Sequence, residues 1–226
     1  MRALEAELRQ GLAALNLPLS DEQVTRLLDY MALIEKWTKV YNLTAVRNPV
    51  EMLTHHLLDS LAVIAPLRAQ LASTGIQAQT EASSGKLRLL DVGSGAGLPG
   101  AVIAICCPDI AVDCVDTVAK KVAFIQQVAL GLKLPNLRGV HARVENLTDE
   151  YAVVSSRAFA SLVDFTQWSM AALAENGIWM GMKGKNPAEE MAALPASVNV
   201  FHVEQLTVPG LDAERCIIWM RAADAH

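Results

Sequence analysis

Residues Leu89 to Gly100 read Leu-Leu-Asp-Val-Gly-Ser-Gly-Ala-Gly-Leu-Pro-Gly. An apolar run carries an acid, Asp91, and passes through Gly93, Gly95 and Gly97 to Leu98 and a further apolar stretch. Glycine tolerates positive φ and has no Cβ, so such a turn can be tight and a flat ligand can approach its backbone closely. The N–H groups at the start of a following helix add donors along the same edge. A second acid, Asp116, ends the next apolar run, Ala111 to Val115. An open α/β sheet places a group that bonds ribose hydroxyls at that position. Together these residues predict a site for a nucleoside cofactor.

Gly95-Ala96-Gly97-Leu98-Pro99-Gly100 also satisfies the dinucleotide pattern G-x-G-x-x-G, a weak match when taken alone. Asp91 stands two residues before Gly93, the first glycine of the turn, where a nicotinamide-binding strand is apolar, and Pro99 stiffens the turn. A carboxylate there suits the ammonium and sulfonium end of S-adenosylmethionine and would repel a pyrophosphate. The bland rival is a glycine turn that only joins a strand to a helix.

The basic residues are read against similar rivals. Arg157 follows a predicted strand within an apolar segment, where an unpaired guanidinium is costly, so a partner is expected. Contact with cofactor or substrate is favoured over a structural ion pair, and orientation of the reactants is its expected catalytic role. Arg143 lies two residues before Glu145 and could simply pair with it. Lys183 and Lys185 flank Gly184 in a predicted loop, which suits phosphate contact, although loop lysines are mostly just solvated. With Arg138 they are expected near the C-terminal edge of the sheet. The net charge of −5 argues against general attraction to nucleic acid, but local patches decide steering. No metal is assigned: His55 and His56 are adjacent, about 100° apart on a helix, and the four cysteines lack Cys-x-x-Cys spacing and read as buried thiols. His56 and Tyr41 read as core or rim, and the four tryptophans as packing.

Elements must position these groups. At 226 residues and 52% hydrophobic, the chain can bury a substantial core. Its longest apolar stretch, Leu98 to Cys107, is too short to span a bilayer. Acids near the N-terminus stand where a signal peptide would be apolar, so a cytoplasmic protein with no membrane partner is expected. Leu4, Leu8, Leu12 and Leu15 recur at helical spacing. Ser20 and Gln23 form a capping-box signature before a stripe from Val24 to Ile34. Asn48, Pro49 and Glu51 announce a third helix carrying Leu53, Leu57, Leu61 and Ile64 to Pro66. These stripes predict an N-terminal helical cap over residues 1–71. A polar connection, 72–86, follows, and then strands and helices alternate over 87–226 with a closing hairpin around Pro209-Gly210. That order predicts a doubly wound, mostly parallel α/β sheet forming one compact unit with the cap.

Strand, Asp-x-Gly-x-Gly-x-Gly, second-strand acid and terminal hairpin resemble the class I S-adenosylmethionine-dependent methyltransferases, with a Rossmann-like sheet. Tyr41-Asn42-Leu43-Thr44, His56-Leu57-Leu58-Asp59-Ser60-Leu61, Leu98-Pro99-Gly100, Ser156-Arg157-Ala158-Phe159-Ala160 and Lys183-Gly184 are similar, in order, to motifs of the bacterial 16S rRNA guanine-N7 methyltransferase family, also called glucose-inhibited division protein B. The resemblance implies methylation at N7 of a guanine in the 530 loop, on free rRNA or the small ribosomal subunit, by a monomer. It implies that S-adenosylmethionine is held by Gly93, Leu98, Val144, Glu145 and Arg157, beside Asp91, Gly95 and Gly97, with Asp116 on the ribose. Members often carry Gly-Lys-Arg after that acid, whereas this chain has Ala119-Lys120-Lys121, and lysine lacks the planar fork of arginine. Lys120, Lys121, Arg143, Lys183 and Lys185 are the candidate RNA contacts. Asp59 and Glu145 are lower-ranked candidates for stabilising a cationic product ring. Guanine N7 carries a free lone pair and no proton, so its methylation needs no general base, and the chain shows no nucleophile–base constellation. The alternatives are a small-molecule methyltransferase using the cap as a lid, a nicotinamide oxidoreductase, and a non-catalytic module on a cofactor fold.

Overall fold

The computed structural model describes residues 2–76 and 86–223. Helix α1 (Arg2–Ala14) is followed by α2 (Asp21–Tyr41), whose capping box forms as its sequence predicts: Ser20 Oγ accepts from Gln23 N while the Gln23 side chain accepts from Ser20 N. The third predicted helix is instead a relay. Short α3 (Pro49–Met52), capped by Asn48, runs into a π-helical stretch Leu53–Leu58 and then α4 (Asp59–Leu61). Chain direction changes at Ala62 and Val63, and α5 (Ile64–Thr74) begins. Pro66 therefore does not stop a helix; it is the third residue of one. First-turn N–H groups have no intrahelical acceptor, so proline forfeits nothing there. Ala72 to Thr74 finish α5, and 77–85 of the predicted polar connection lie outside the described residues.

Strands β1 (Leu87–Val92), β2 (Ile110–Asp116), β3 (Leu137–His141), β4 (Tyr151–Arg157), β5 (Leu173–Lys183), β6 (Val198–Leu206) and β7 (Arg215–Ala222) alternate with α6 (Gly100–Cys106), α7 (Ala119–Gly131), α8 (Leu162–Ser169) and α9 (Ala188–Ala192). They build one sheet in the order β3-β2-β1-β4-β5-β7-β6, with β7 antiparallel to both its neighbours. Helix α8 ends at Ser169, the chain passes through a 3-10 turn, and β5 starts at Leu173. Ser169 Oγ donates to Phe165 O and accepts from Trp179 Nε1, which locks that corner.

Strand alternation divides the core. Leu87 and Leu89 face one side of the sheet, with the cap stripe Leu8, Leu27, Ile34 and Leu57. Leu90 and Val92 face the other, with Val154, Phe165 and Trp179. The cap's stripes are thus buried on the sheet's α6 side, in one continuous core. Two polar ties fix its position: Gln23 Nε2 donates to Ile105 O (3.0 Å), and buried Tyr30 donates its hydroxyl to Ala96 O (2.6 Å) in the glycine turn. The order reverses at β1, between β2 and β4, which opens a crevice beyond the C-terminal ends of these strands.

Candidate functional site

The glycine turn leaves β1 at that crevice. Gly93 and Ser94 donate their N–H groups to Val115 O, and Gly95 N donates to Asp116 Oδ2 (3.1 Å). Asp116 Oδ1 accepts from Val118 N (2.9 Å), so one carboxylate ties the turn to the start of α7. Gly95 sits at φ +58 with nothing within 4 Å of where a Cβ would project, so its open side is a cradle lined by backbone. At Gly93, φ +65, a Cβ would fall 2.3 Å from Phe159 Cδ2. Asp91 does not reach this cradle. It shares the face of Leu87 and Leu89, so it points beneath the turn. There it accepts from Gly100 N (2.9 Å) and Ser155 Oγ (3.0 Å), fully buried. Burial pushes its carboxyl up to about 6, against the pull of those two donors.

Two adjoining cavities share Gly93 and Ala158. The smaller, about 270 Å³, runs along Asp116, Val118, Ala142 and Phe159. The larger, about 460 Å³, has the turn residues Ser94, Gly95 and Leu98 on one wall and His56, Asp59 and Arg157 on the other. Asp59, 3% exposed, is clamped between two arginines: Oδ2 accepts from Arg157 Nη1 at 2.8 Å and Oδ1 from Arg215 Nε at 2.7 Å. Arg157 Nη1 also donates to His55 O (3.1 Å). One carboxylate against two guanidiniums leaves this wall with a net positive charge. Lys183, also on the wall, is held by Glu190 Oε2 (2.8 Å) and Ala160 O (3.0 Å). His56 Nε2 pairs with Thr44 Oγ1 (2.8 Å); burial, and then the Arg157 charge, lower its pKa and keep the ring neutral at pH 7.

A family model described as GidB, rRNA small subunit methyltransferase G, matches residues 23–218. The chain belongs to this family. It is 70% identical over 222 residues to ribosomal RNA small subunit methyltransferase G of Albidiferax ferrireducens, covering 98% of each chain. It is 68% identical to the protein of the same name from Polaromonas sp., covering 100% of this chain and 96% of the relative. Among solved structures, TrmN from Thermus thermophilus superposes with a TM-score of 0.54 at 17% identity, covering 76% of this chain and 53% of that one. The ribosomal protein L11 methylase of Lactobacillus delbrueckii gives 0.50 at 14%, covering 69% and 78%. The fold is that of the class I methyltransferases.

Within this family member, the crevice gathers Gly93, Gly95, Leu98, Asp116, Lys121, Arg157 and Lys183, drawn from four separate stretches of sequence. Gly97 forms the turn behind them. Lys121 reaches within 3.5 Å of Asp116 Oδ2. Other candidates stand apart from both cavities. Val144 is buried in a 3-10 turn against the core face of Val92 and Val115, and it is Ala142 that lines the smaller cavity. Glu145 and Arg143 are both exposed, and no ion pair joins them among the described residues. Lys185 is exposed, while Lys120 lies over the Tyr41 ring at 5.7 Å. Arg138 is not at the C-terminal edge; it is the second residue of β3, where it pairs with Asp113. Arg157 does have the ion-pair partner that its apolar setting demands, and that partner is Asp59. The reading of single residues missed Arg215 altogether. A basic residue at the start of a strand gives no local sign that the strand ends at a crevice.

Proposed function

We propose that this protein transfers the methyl group of S-adenosylmethionine to N7 of a guanine in the 530 loop of 16S rRNA, as a monomer in the cytoplasm, with cap and sheet working as one unit. The observation that carries the reading is the two-part cavity at the point where strand order reverses, with backbone and carboxylate on one side and a cationic wall on the other. The name of the relatives, ribosomal RNA small subunit methyltransferase G, supports the RNA substrate. No described helix is long and apolar enough to cross a membrane.

The residues fit the cofactor. Asp116 Oδ1 accepts one backbone N–H and keeps a lone pair for a ribose hydroxyl, while Oδ2 accepts from Gly95 N and faces Lys121. Phe159, Val118 and Ala142 give the smaller cavity apolar walls for a purine, and the open cradle at Gly95 lets the cofactor lie against backbone. When bound, S-adenosylmethionine supplies an electrophilic methyl group on a sulfonium. Asp91, beneath the turn, braces Gly100 rather than touching the cofactor.

Guanine N7 has a lone pair and no proton to lose. The larger cavity matches that need: Asp59 is occupied by two arginines, Lys183 by Glu190, and His56 is a neutral ring bonded to Thr44. Its residues orient rather than exchange protons. Alignment of two bound reactants can supply on the order of 7 kcal/mol of a barrier. Arg157 and Arg215, fixed by Asp59, present guanidinium edges to the phosphates or carbonyl of an entering nucleotide.

The test is transfer of labelled methyl from S-adenosylmethionine to free 16S rRNA, small ribosomal subunits and tRNA, with the modified base located by borohydride and aniline cleavage at N7-methylguanine. Label confined to one guanine of 16S rRNA, free or assembled, is the expected result. Label on tRNA alone, or on a nitrogen other than N7, overturns the reading.

A further inference from the structure

Tyr41 is among the few large hydrophobic side chains that the fold leaves exposed, at 47%. It is the last residue of α2. Asn42 then takes the left-handed conformation (φ 51, ψ 48), and this turn brings Leu43 and Thr44 onto the wall of the larger cavity. The ring does not hang free. Trp37 lies against it at 5.1 Å, and Trp37 in turn packs edge-on to buried Phe124 at 5.4 Å. Over the ring, at 5.7 Å, lies the ammonium of Lys120, which has no carboxylate partner among the described residues. Val118, two residues earlier, is exposed and lines the smaller cavity. Tyr41 and Lys120 are thus each two residues from a cavity-lining residue, Leu43 for the larger cavity and Val118 for the smaller.

The charge around it is distinctive in a chain of net charge −5. Lys36, five residues earlier on α2, is exposed with no carboxylate partner among the described residues, and Arg47 donates to the Asn42 amide oxygen at 2.6 Å. Lys120 lies over the anchored ring, and Arg47 bonds the residue that follows it, next to exposed Val40. Phosphates of a single strand match the cations, and every base has a π-face that matches the ring. An acidic peptide would use the charges and leave the ring idle.

We propose that Tyr41 is a stacking platform for an unpaired base of the RNA substrate next to the methylated guanine, and that Lys120 leaves the ring for a phosphate as the base arrives. The proposal rests on the RNA-methylation reading above. A cation near an exposed aromatic face is held only weakly, so a phosphate can draw it off the ring.

The experiment compares Tyr41→Phe, Tyr41→Leu, Tyr41→Ala and Lys120→Ala with the wild type. It measures KM and kcat for whichever RNA the wild type methylates, and affinity for S-adenosylhomocysteine by calorimetry. Phe should match the wild type. Leu keeps an apolar cover on Trp37 but no π-face, so both Leu and Ala should raise KM roughly tenfold, the loss of one base–aromatic stack, with kcat within about twofold. Lys120→Ala should raise KM by less and flatten its dependence on salt. Cofactor affinity should not move in any variant. A wild type that methylates no RNA overturns the methyltransferase reading and the platform with it. An active wild type whose KM is unchanged in Leu and Ala overturns the platform alone, as does a Phe variant as impaired as Leu.

Discussion

At the scale of single residues, a buried charge and a half-buried one serve the site in different ways. Asp91 is a carboxylate fully enclosed beneath the glycine turn, and its pKa is raised from 3.8 to about 6 chiefly by burial. The folded state therefore binds its proton more tightly than the unfolded chain does. Its stabilising contribution is fully present below pH 3.8 and is lost as pH rises through about 6. The difference is worth on the order of 3 kcal/mol at neutral pH. Asn at this position can still accept from Gly100 N, and Ser155 Oγ can turn to Leu90 O, 3.3 Å away. Asp91→Asn should therefore gain stability on the wild type between pH 4 and 6 and hold that gain above it. Urea unfolding across this range checks it, and a difference independent of pH would mean that Asp91 carries no such penalty. Arg157 is the sharper test of mechanism. One of its nitrogens holds both Asp59 and His55 O. Arg157→Ala should lose methyl transfer at least 100-fold with the fold retained, and Lys should fail nearly as badly at any salt, because it lacks the fork that meets a planar group. A Lys variant that keeps most activity and weakens steadily with salt would show that Arg157 only steers RNA.

At the scale of elements, the cap and the glycine turn are coupled through Tyr30. Its hydroxyl, from the middle of α2, is fully buried and donates to Ala96 O at 2.6 Å. Tyr30→Phe preserves the ring packing on Phe124 but leaves a buried carbonyl without its donor, which costs about 1–3 kcal/mol. The loss belongs to the turn, so cofactor affinity should fall along with Tm, by several-fold in calorimetry. Lower Tm with unchanged affinity would show that the turn keeps its shape without the cap. The relay from α3 to α4 has a comparable role. Its π-helical stretch puts His56, Leu57 and Leu58 into buried positions and carries buried Asp59 to the two arginines. A straight helix continuing to Pro66, as the apolar spacing predicts, would set these side chains at different angles.

At the scale of the molecule, cap and sheet share one hydrophobic core on the α6 side, running from Leu8 to Trp219. Separate folding would expose the inner stripes of α1 and α2 and the face of β1 at once. Urea unfolding followed by tryptophan fluorescence and by far-ultraviolet circular dichroism should give one coincident transition. The fluorescence includes Trp37 in the cap and Trp179 and Trp219 in the sheet. Two separated transitions would show that the cap is an independent unit.

The sequence by itself determined the elements and their kind. Periodicity placed the stripes of α1 and α2 and the alternation of β1, the Ser20–Gln23 pair marked where α2 begins, and the glycines with Asp116 announced a nucleoside site. Each of these is a short-range property, set by backbone sterics and by which face of an element is apolar. The tertiary structure alone decided which distant residues share the crevice. That Asp91 turns under the loop follows from strand parity once the buried face is known, but which face meets α6 is a matter of packing. Asp59 and Arg215 lie 156 residues apart and meet at 2.7 Å. Buried charges must find partners, and only the crossing of the cap over the ends of β4 and β7 says which partners those are.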